Sequence, residues 1–145
     1  MGDISKNFSF KEFEASNIAA SEGIKNVITS EEVKHSIAEL VSHVLQPLRD
    51  LLGAPLHINS GYRCKALNAR VGGVATSQHC KGEAADISSP YFQPIDIARR
   101  IVAEQLPYDQ LIIYPTFVHV SHKGKWSAKQ RHQLLYNSKY TGEKI

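Results

Sequence analysis

The run Ser77-Gln78-His79-Cys80-Lys81-Gly82-Glu83-Ala84-Ala85-Asp86 constrains the fold of this chain more than any other segment. It sets a histidine and an aspartate seven positions apart, with Gly82 between them. An unbroken helix would put the pair two turns apart on one face, but Gly82 argues against a helix and for a turn. Ala84 and Ala85 are small enough for a strand to pass close to its neighbours, and Asp86 then emerges at the strand's end. A loop imidazole and a strand carboxylate can converge in that way. A second imidazole lies downstream in Phe117-Val118-His119-Val120-Ser121-His122. Two imidazoles and a carboxylate form a common catalytic zinc set, leaving a fourth position to water. Such a set predicts a hydrolase whose reagent is that water. The alternative zinc arrangement, a helix carrying His-Glu-x-x-His, does not occur.

The pleat decides which downstream histidine joins. Tyr108 to Tyr114 and Phe117 to Lys123 read as two strands of a hairpin separated by Pro115-Thr116. Alternate strand residues share a face, so His119 goes with Phe117 and Ser121, while Val118, Val120 and His122 point the other way. A two-residue turn sets Tyr114 opposite Phe117, Ile112 opposite His119, Gln110 opposite Ser121 and Asp109 opposite His122. On this register His122 does not share a metal with His119, and Asp109 and His122 form a cross-strand pair. The remaining histidines read as ordinary residues: His35 and His43 on a polar helix face, His57 in a strand and His132 in a polar tail.

Around these segments the chain alternates helices and short strands. Ser9-Phe10-Lys11-Glu12 and Thr29-Ser30-Glu31-Glu32 both read as capping boxes. The second opens the longest helix, about residues 30 to 52, with an apolar stripe of Val33, Ile37, Leu40, Val41, Val44, Leu48 and Leu51. Pro47 is expected to kink that helix or end its regular part, and Gly53 and Pro55 stop it. Residues 56–62 read as a strand, 64–71 as a short helix and 84–87 as a buried strand. Residues 94–106 read as a helix with Ile95, Ala98, Ile101, Val102 and Leu106 inward and Pro94 in its first turn. Residues 127–145 carry no pattern that places them. This order predicts an α+β fold with a small, mainly antiparallel sheet, and 145 residues suit one domain covering 1–145.

Composition excludes more than it assigns. Seventeen Lys and Arg against fourteen Asp and Glu leave a net charge of +3, too little to argue for nucleic acid. No apolar run approaches the roughly 20 residues of a membrane span, and the first residues lack the apolar core of a signal peptide. The chain is therefore expected to be soluble and cytoplasmic as encoded. Cys64 and Cys80 are two free thiols or one pair, depending on whether the fold brings them together.

The pattern Ser77-x-His79-x-x-Gly82-x-Ala84-x-Asp86 resembles the zinc motif of the D-Ala-D-Ala carboxypeptidase family, which includes the L-alanyl-D-glutamate endopeptidases of phage lysins. Asn59-Ser60-Gly61-Tyr62-Arg63, Leu67-Asn68 and Gly72-Gly73 are similar to the segment before that motif. Tyr108-Asp109-Gln110-Leu111-Ile112 with Phe117-Val118-His119-Val120-Ser121 is similar to the segment that ends in the third ligand. The resemblance covers about residues 8–123 and implies a hedgehog/DD-peptidase-like fold, with helices packed on the sheet. It implies zinc on His79, Asp86 and His119, and Arg63 binding the substrate or a developing oxyanion. It implies that Ser77 supports the metal loop or the substrate, and that Gln110 and Ser121, on the His119 face, act from behind the ligands. The activity implied is hydrolysis of peptidoglycan stem peptides, by a carboxypeptidase or an endopeptidase, with release to the cell wall.

One position departs from the pattern. Relatives place an acid three residues before the third ligand, as general base, where this chain has Thr116; others place it where this chain has Tyr114. Asp109, Glu83 and His122 are the alternative bases, and the hairpin register turns Asp109 and His122 away. The departure leaves a second expectation open, a cell-wall-binding or phage structural module that does not cut.

Overall fold

The computed structural model describes residues 2–124 and 129–145. Ser127 and Ala128, at the start of the tail that sequence patterning could not place, lie outside the described residues. The element order is α1 (Phe10–Glu14), α2 (Asn17–Glu22), α3 (Glu31–Leu40), a π-helical turn (Val41–Leu45), α4 (Gln46–Leu52), β1 (His57–Ser60), α5 (Lys65–Arg70), β2 (Ala84–Ser88), α6 (Pro94–Ala103), β3 (Gln110–Ile113), β4 (Val118–Ser121) and β5 (Gln133–Tyr136). The strands form one sheet in the order β1-β2-β4-β3-β5. The first four are antiparallel to their neighbours, and β5 pairs parallel with β3. The fold is thus α+β with a mainly antiparallel sheet, as expected. Among the described residues no helix is long and apolar enough to cross a membrane.

Helix starts follow the chemistry of their caps. The Ser9 N–H donates to Glu12 Oε1 at 2.9 Å, the reciprocal bond of a capping box at α1. At α3 the cap is Ser30, whose hydroxyl accepts from the Val33 N–H at 3.3 Å. This moves the start one residue on from the Thr29 box read in the sequence. Pro47 has no N–H to give, and the helix answers by widening just upstream: the Gln46 N–H reaches back five residues to Val41 O. A π-turn adds one residue and rotates everything after it. The apolar stripe therefore passes from Val41 and Val44 to Leu45 and Leu48, all four fully buried. Leu51, expected inward, is 38% exposed, and Leu52 packs on the core in its place.

One sheet face carries the core. Ala85 and Ile87 of β2, Val118 and Val120 of β4, and Leu111 and Ile113 of β3 pack with Ile37, Leu40, Leu45 and Leu48 and with Ile97 and Ile101 of α6. Period 2 then sends Ala84, Asp86, His119 and Ile112 to the opposite face. Cross-strand register aligns them in a row: Ser60 opposite Asp86, Asp86 opposite His119, His119 opposite Ile112. The expected pairings of Ile112 with His119 and of Tyr114 with Phe117 hold; the Tyr114 N–H donates to Phe117 O at 3.0 Å. An extra residue in β1 between Ile58 and Ser60 brings Ser60 to that row.

Gly82 joins the loop to β2 at φ +75°, and a Cβ there would lie 2.7 Å from Val33 O and 2.9 Å from Ile37 Cγ1. Conformation and contact both require glycine. Gly82→Ala is expected to lower stability by about 1–2 kcal/mol from the backbone alone, read as a lower urea midpoint with an unchanged slope. An unchanged midpoint would show that position 82 tolerates a side chain in this conformation and against α3.

Candidate metal centre

His79 sits in consecutive tight turns between α5 and β2. The Ser77 N–H donates to Val74 O, Cys80 N–H to Ser77 O, Lys81 N–H to Gln78 O and Gly82 N–H to His79 O. The Ser77 hydroxyl accepts from the His79 N–H at 3.2 Å, so this serine supports the loop. The His79 ring is buried, and its Nδ1 lies 2.7 Å from Gly61 O. A carbonyl only accepts, so Nδ1 is the donor in this contact and Nε2 is the ring atom turned toward Asp86. Only glycine fits at position 61, because a Cβ there would meet Phe13 at 2.7–3.0 Å.

Nε2 of His79 is 3.3 Å from Asp86 Oδ1, and His119 Nδ1 is 3.0 Å from the same oxygen. Ligand atoms of the three residues all lie within 4.8 Å of one another. A tetrahedral ion bound at ~2.1 Å spaces its ligand atoms by roughly 3.4 Å. The donor set is therefore matched in type and spacing to a divalent metal ion. Asp86 is almost wholly enclosed. Burial pushes its pKa up, but hydrogen bonds and charge from His119 and His79 outweigh this and hold the carboxylate well below its usual range. The group stays anionic, as a ligand must.

Arg63 closes the other side. Its NH2 lies 3.7 Å from Asp86 Oδ2, its Nε donates to Ser60 Oγ at 3.2 Å, and its NH1 reaches Asn68 Oδ1 at 3.5 Å. Asn68, buried, also donates to Val74 O at 2.8 Å. Asn26, buried too, donates to Glu14 O and Tyr62 O and accepts from the Cys64 N–H. Asn26 thus holds the backbone on either side of Arg63, and Asn68 holds its guanidinium. Asn68 lay inside a segment singled out in the sequence, whereas Asn26 carried no local signal. Cys64 and Cys80 are both free.

The trio lines a cleft of about 810 Å³, walled by Arg63, Glu83, Asp109, Tyr114, Lys123 and Arg131 among others. The expected bases are placed as follows. Thr116 is exposed in the hairpin turn and does not line the cleft. Tyr114 does, stacked on Phe117; burial and then the Asp86 charge raise its pKa, so its phenol keeps its proton. His122 faces away, as expected, stacked on His43 at 5.2 Å.

Asp109 requires a correction, because it lines the cleft instead of pairing with His122. The Asp109 N–H donates to Ser121 O at 2.7 Å and the Gln110 N–H to Ser121 Oγ at 3.1 Å. One residue of β4 thus serves two of the facing segment, the regular pleat stops, and Asp109 turns inward. Ser121 is fully buried in this role, and the Gln110 amide donates to Gln133 Oε1 at 2.9 Å.

Asp109 is fully buried, and its oxygens accept from the Arg131 side chain at 2.9–3.2 Å and from the Arg131 N–H at 2.8 Å. Burial alone would raise its pKa; the Arg131 and Gln78 hydrogen bonds prevail and lower it. A carboxylate held down in the native state contributes stability above its unfolded value and loses it as pH falls through the lower native value. At pH 7, Asp109→Asn is expected to cost about 2 kcal/mol. The difference should shrink below the unfolded carboxylate value of about 4. Urea titrations at pH 7 and pH 3 check this, and a pH-independent difference would rule out the ion pair as its source.

No curated protein matches the chain. The family model described as Peptidase M15 matches residues 6–121. That span runs from before α1 to the end of β4 and contains Arg63, His79, Asp86 and His119. It includes both the strands that bring the ligand atoms together and the loop that carries His79. M15 peptidases are metal-dependent, and the trio here supplies ligands of the kind such an enzyme needs. With 116 of its 145 residues matched, this chain belongs to the Peptidase M15 family of metallopeptidases.

Proposed function

We propose that this chain is a zinc-dependent peptidase that hydrolyses peptidoglycan stem peptides, as a D-Ala-D-Ala carboxypeptidase or an L-Ala-D-Glu endopeptidase. The observation that carries the reading is the convergence of His79 Nε2, His119 Nδ1 and Asp86 Oδ1 on the wall of one cleft, with Arg63 at the other carboxylate oxygen. Two imidazoles and one carboxylate suit zinc. Zinc, when bound, supplies Lewis acidity toward a peptide carbonyl and acidifies water.

The chain's own groups do the rest. His79 is held in one tautomer by Gly61 O, and Asp86 is held anionic. Arg63, anchored by Ser60 and Asn68, presents a planar cation to a substrate carboxylate or a developing oxyanion. The Tyr114 phenol, kept protonated, offers an O–H on the same wall. Lys81, Lys123 and Arg131 line the cleft together with Arg63, which suits a peptide that carries carboxylates. Gln110 and Ser121 act from behind, through β5 and the hairpin.

A second reading has its own support. Both Asp109 and Glu83 spend their cleft-side oxygens on other donors, and Thr116 is outside the cleft. A module that holds wall peptides without cutting them needs no free carboxylate.

Zinc-loaded protein is expected to release new amines from purified peptidoglycan, and mass spectrometry of the products names the bond cut. Retention on the wall without new amines would favour the binding module. His79→Ala should lose both cleavage and bound zinc, from about one ion per chain to almost none. Zinc and cleavage that both persist in His79→Ala would overturn the site.

A further inference from the structure

The Gln78 side-chain amide bridges two carboxylates beside the metal loop. Its Nε2 is 3.1 Å from Asp109 Oδ2 and 3.3 Å from Glu83 Oε1. One amide nitrogen has two hydrogens, enough for both. Glu83 is itself tied down, its Oε2 accepting from the Gly124 N–H at 3.2 Å and its backbone oxygen from the His122 N–H at 2.8 Å. Gln78 is the residue before His79, and its backbone oxygen accepts from the Lys81 and Glu83 N–H groups, closing the turn that carries the histidine.

Asp109 anchors the other side of the bridge. Besides Gln78 it receives the Arg131 guanidinium through Nε and NH2, and the Arg131 N–H. Lys123 Nζ stands 3.8 Å away, and the Asp109 backbone oxygen accepts from the Gln133 N–H at 3.0 Å, where β5 begins. A carboxylate with this many donors has its lone pairs engaged and its proton affinity lowered. It is built to hold neighbours in place rather than to accept a proton. From Arg131 on the C-terminal segment to the His79 loop the path runs through two side chains only, Asp109 and Gln78.

We propose that Asp109 and Gln78 are positioning residues of the metal centre. Asp109 locks the segment from Arg131 to Gln133 along the cleft rim, and Gln78 carries that anchorage to the loop that presents His79. Metal affinity therefore depends on a segment that follows the last metal-centre strand. The proposal rests on the metal reading of His79, Asp86 and His119.

Gln78→Ala removes the bridge and leaves every backbone bond, so the fold is expected to survive. Two measurements test it on the full chain. Zinc affinity, by competition with a chromophoric chelator, should fall by about tenfold, at the lower end of the effect of losing a support behind a ligand. Hydrogen exchange of the metal-free protein should speed up at Cys80, Lys81 and Gly82 while β2 and β4 keep their protection. Gln78→Glu, which sets a third carboxylate between Asp109 and Glu83, should weaken zinc further. Parental affinity and parental exchange in Gln78→Ala would overturn the proposal. So would an Asp109→Asn protein that loses cleavage at unchanged zinc affinity and exchange, since Asp109 would then act in the chemistry. Should the parent chain bind no zinc, the metal reading fails by itself, and the exchange data still decide whether the bridge orders the loop.

Discussion

A buried carboxylate in the middle of a sheet row is the constraint on which this structure depends. Asp86 is 8% exposed, and an enclosed anion without partners would be strongly destabilising. Its partners come from three separate stretches: His79 from a loop, His119 from β4 and Arg63 from the turn after β1. Each must arrive with the right atom forward. The architecture around the row accomplishes this, with Gly61 O fixing the His79 tautomer, Ser60 and Asn68 fixing the guanidinium, and strand register fixing His119.

That row exists because the opposite sheet face is fully committed to the core. Ala85, Ile87, Val118, Val120, Leu111 and Ile113 cannot turn outward without losing their packing, so the alternating residues are held on the cleft side. The helix beneath adapts in turn. Pro47 would have broken an α-helix, but the π-turn before it absorbs the missing bond and rotates Leu45, Leu48 and Leu52 onto the sheet. A backbone irregularity in the helix thus serves a regular row in the sheet.

The cleft shows how carboxylates of one residue type take different roles. Asp86 keeps one oxygen toward two imidazoles and stays anionic. Asp109 is equally enclosed, but it is saturated by Arg131, Gln78 and Lys123 and works as an anchor. Glu83 pins the loop to the backbone at Gly124. Neighbouring donors, rather than burial alone, separate these roles.

Much of this was legible in the chain. The ten-residue run from Ser77 to Asp86 determined a turn, a close-packed strand and two candidate metal ligands, because glycine, alanine and a period of two carry that information locally. The pleat selected His119 over His122 for the same reason. Other features are set by contacts between distant residues and have no local signature. The π-turn shifts Leu51 outward only because Pro47 and the core must both be satisfied. Asp109 enters the cleft only because Ser121 serves two consecutive N–H groups. Residues 133–136 become a strand only because β3 offers an unpaired edge, and Arg131 finds a buried carboxylate only once that strand has docked. Sequence by itself determined the candidate ligand types and their faces, since those follow from local spacing. Tertiary structure alone decided which carboxylate is free to bind and which is already occupied, since that depends on donors brought from elsewhere in the chain.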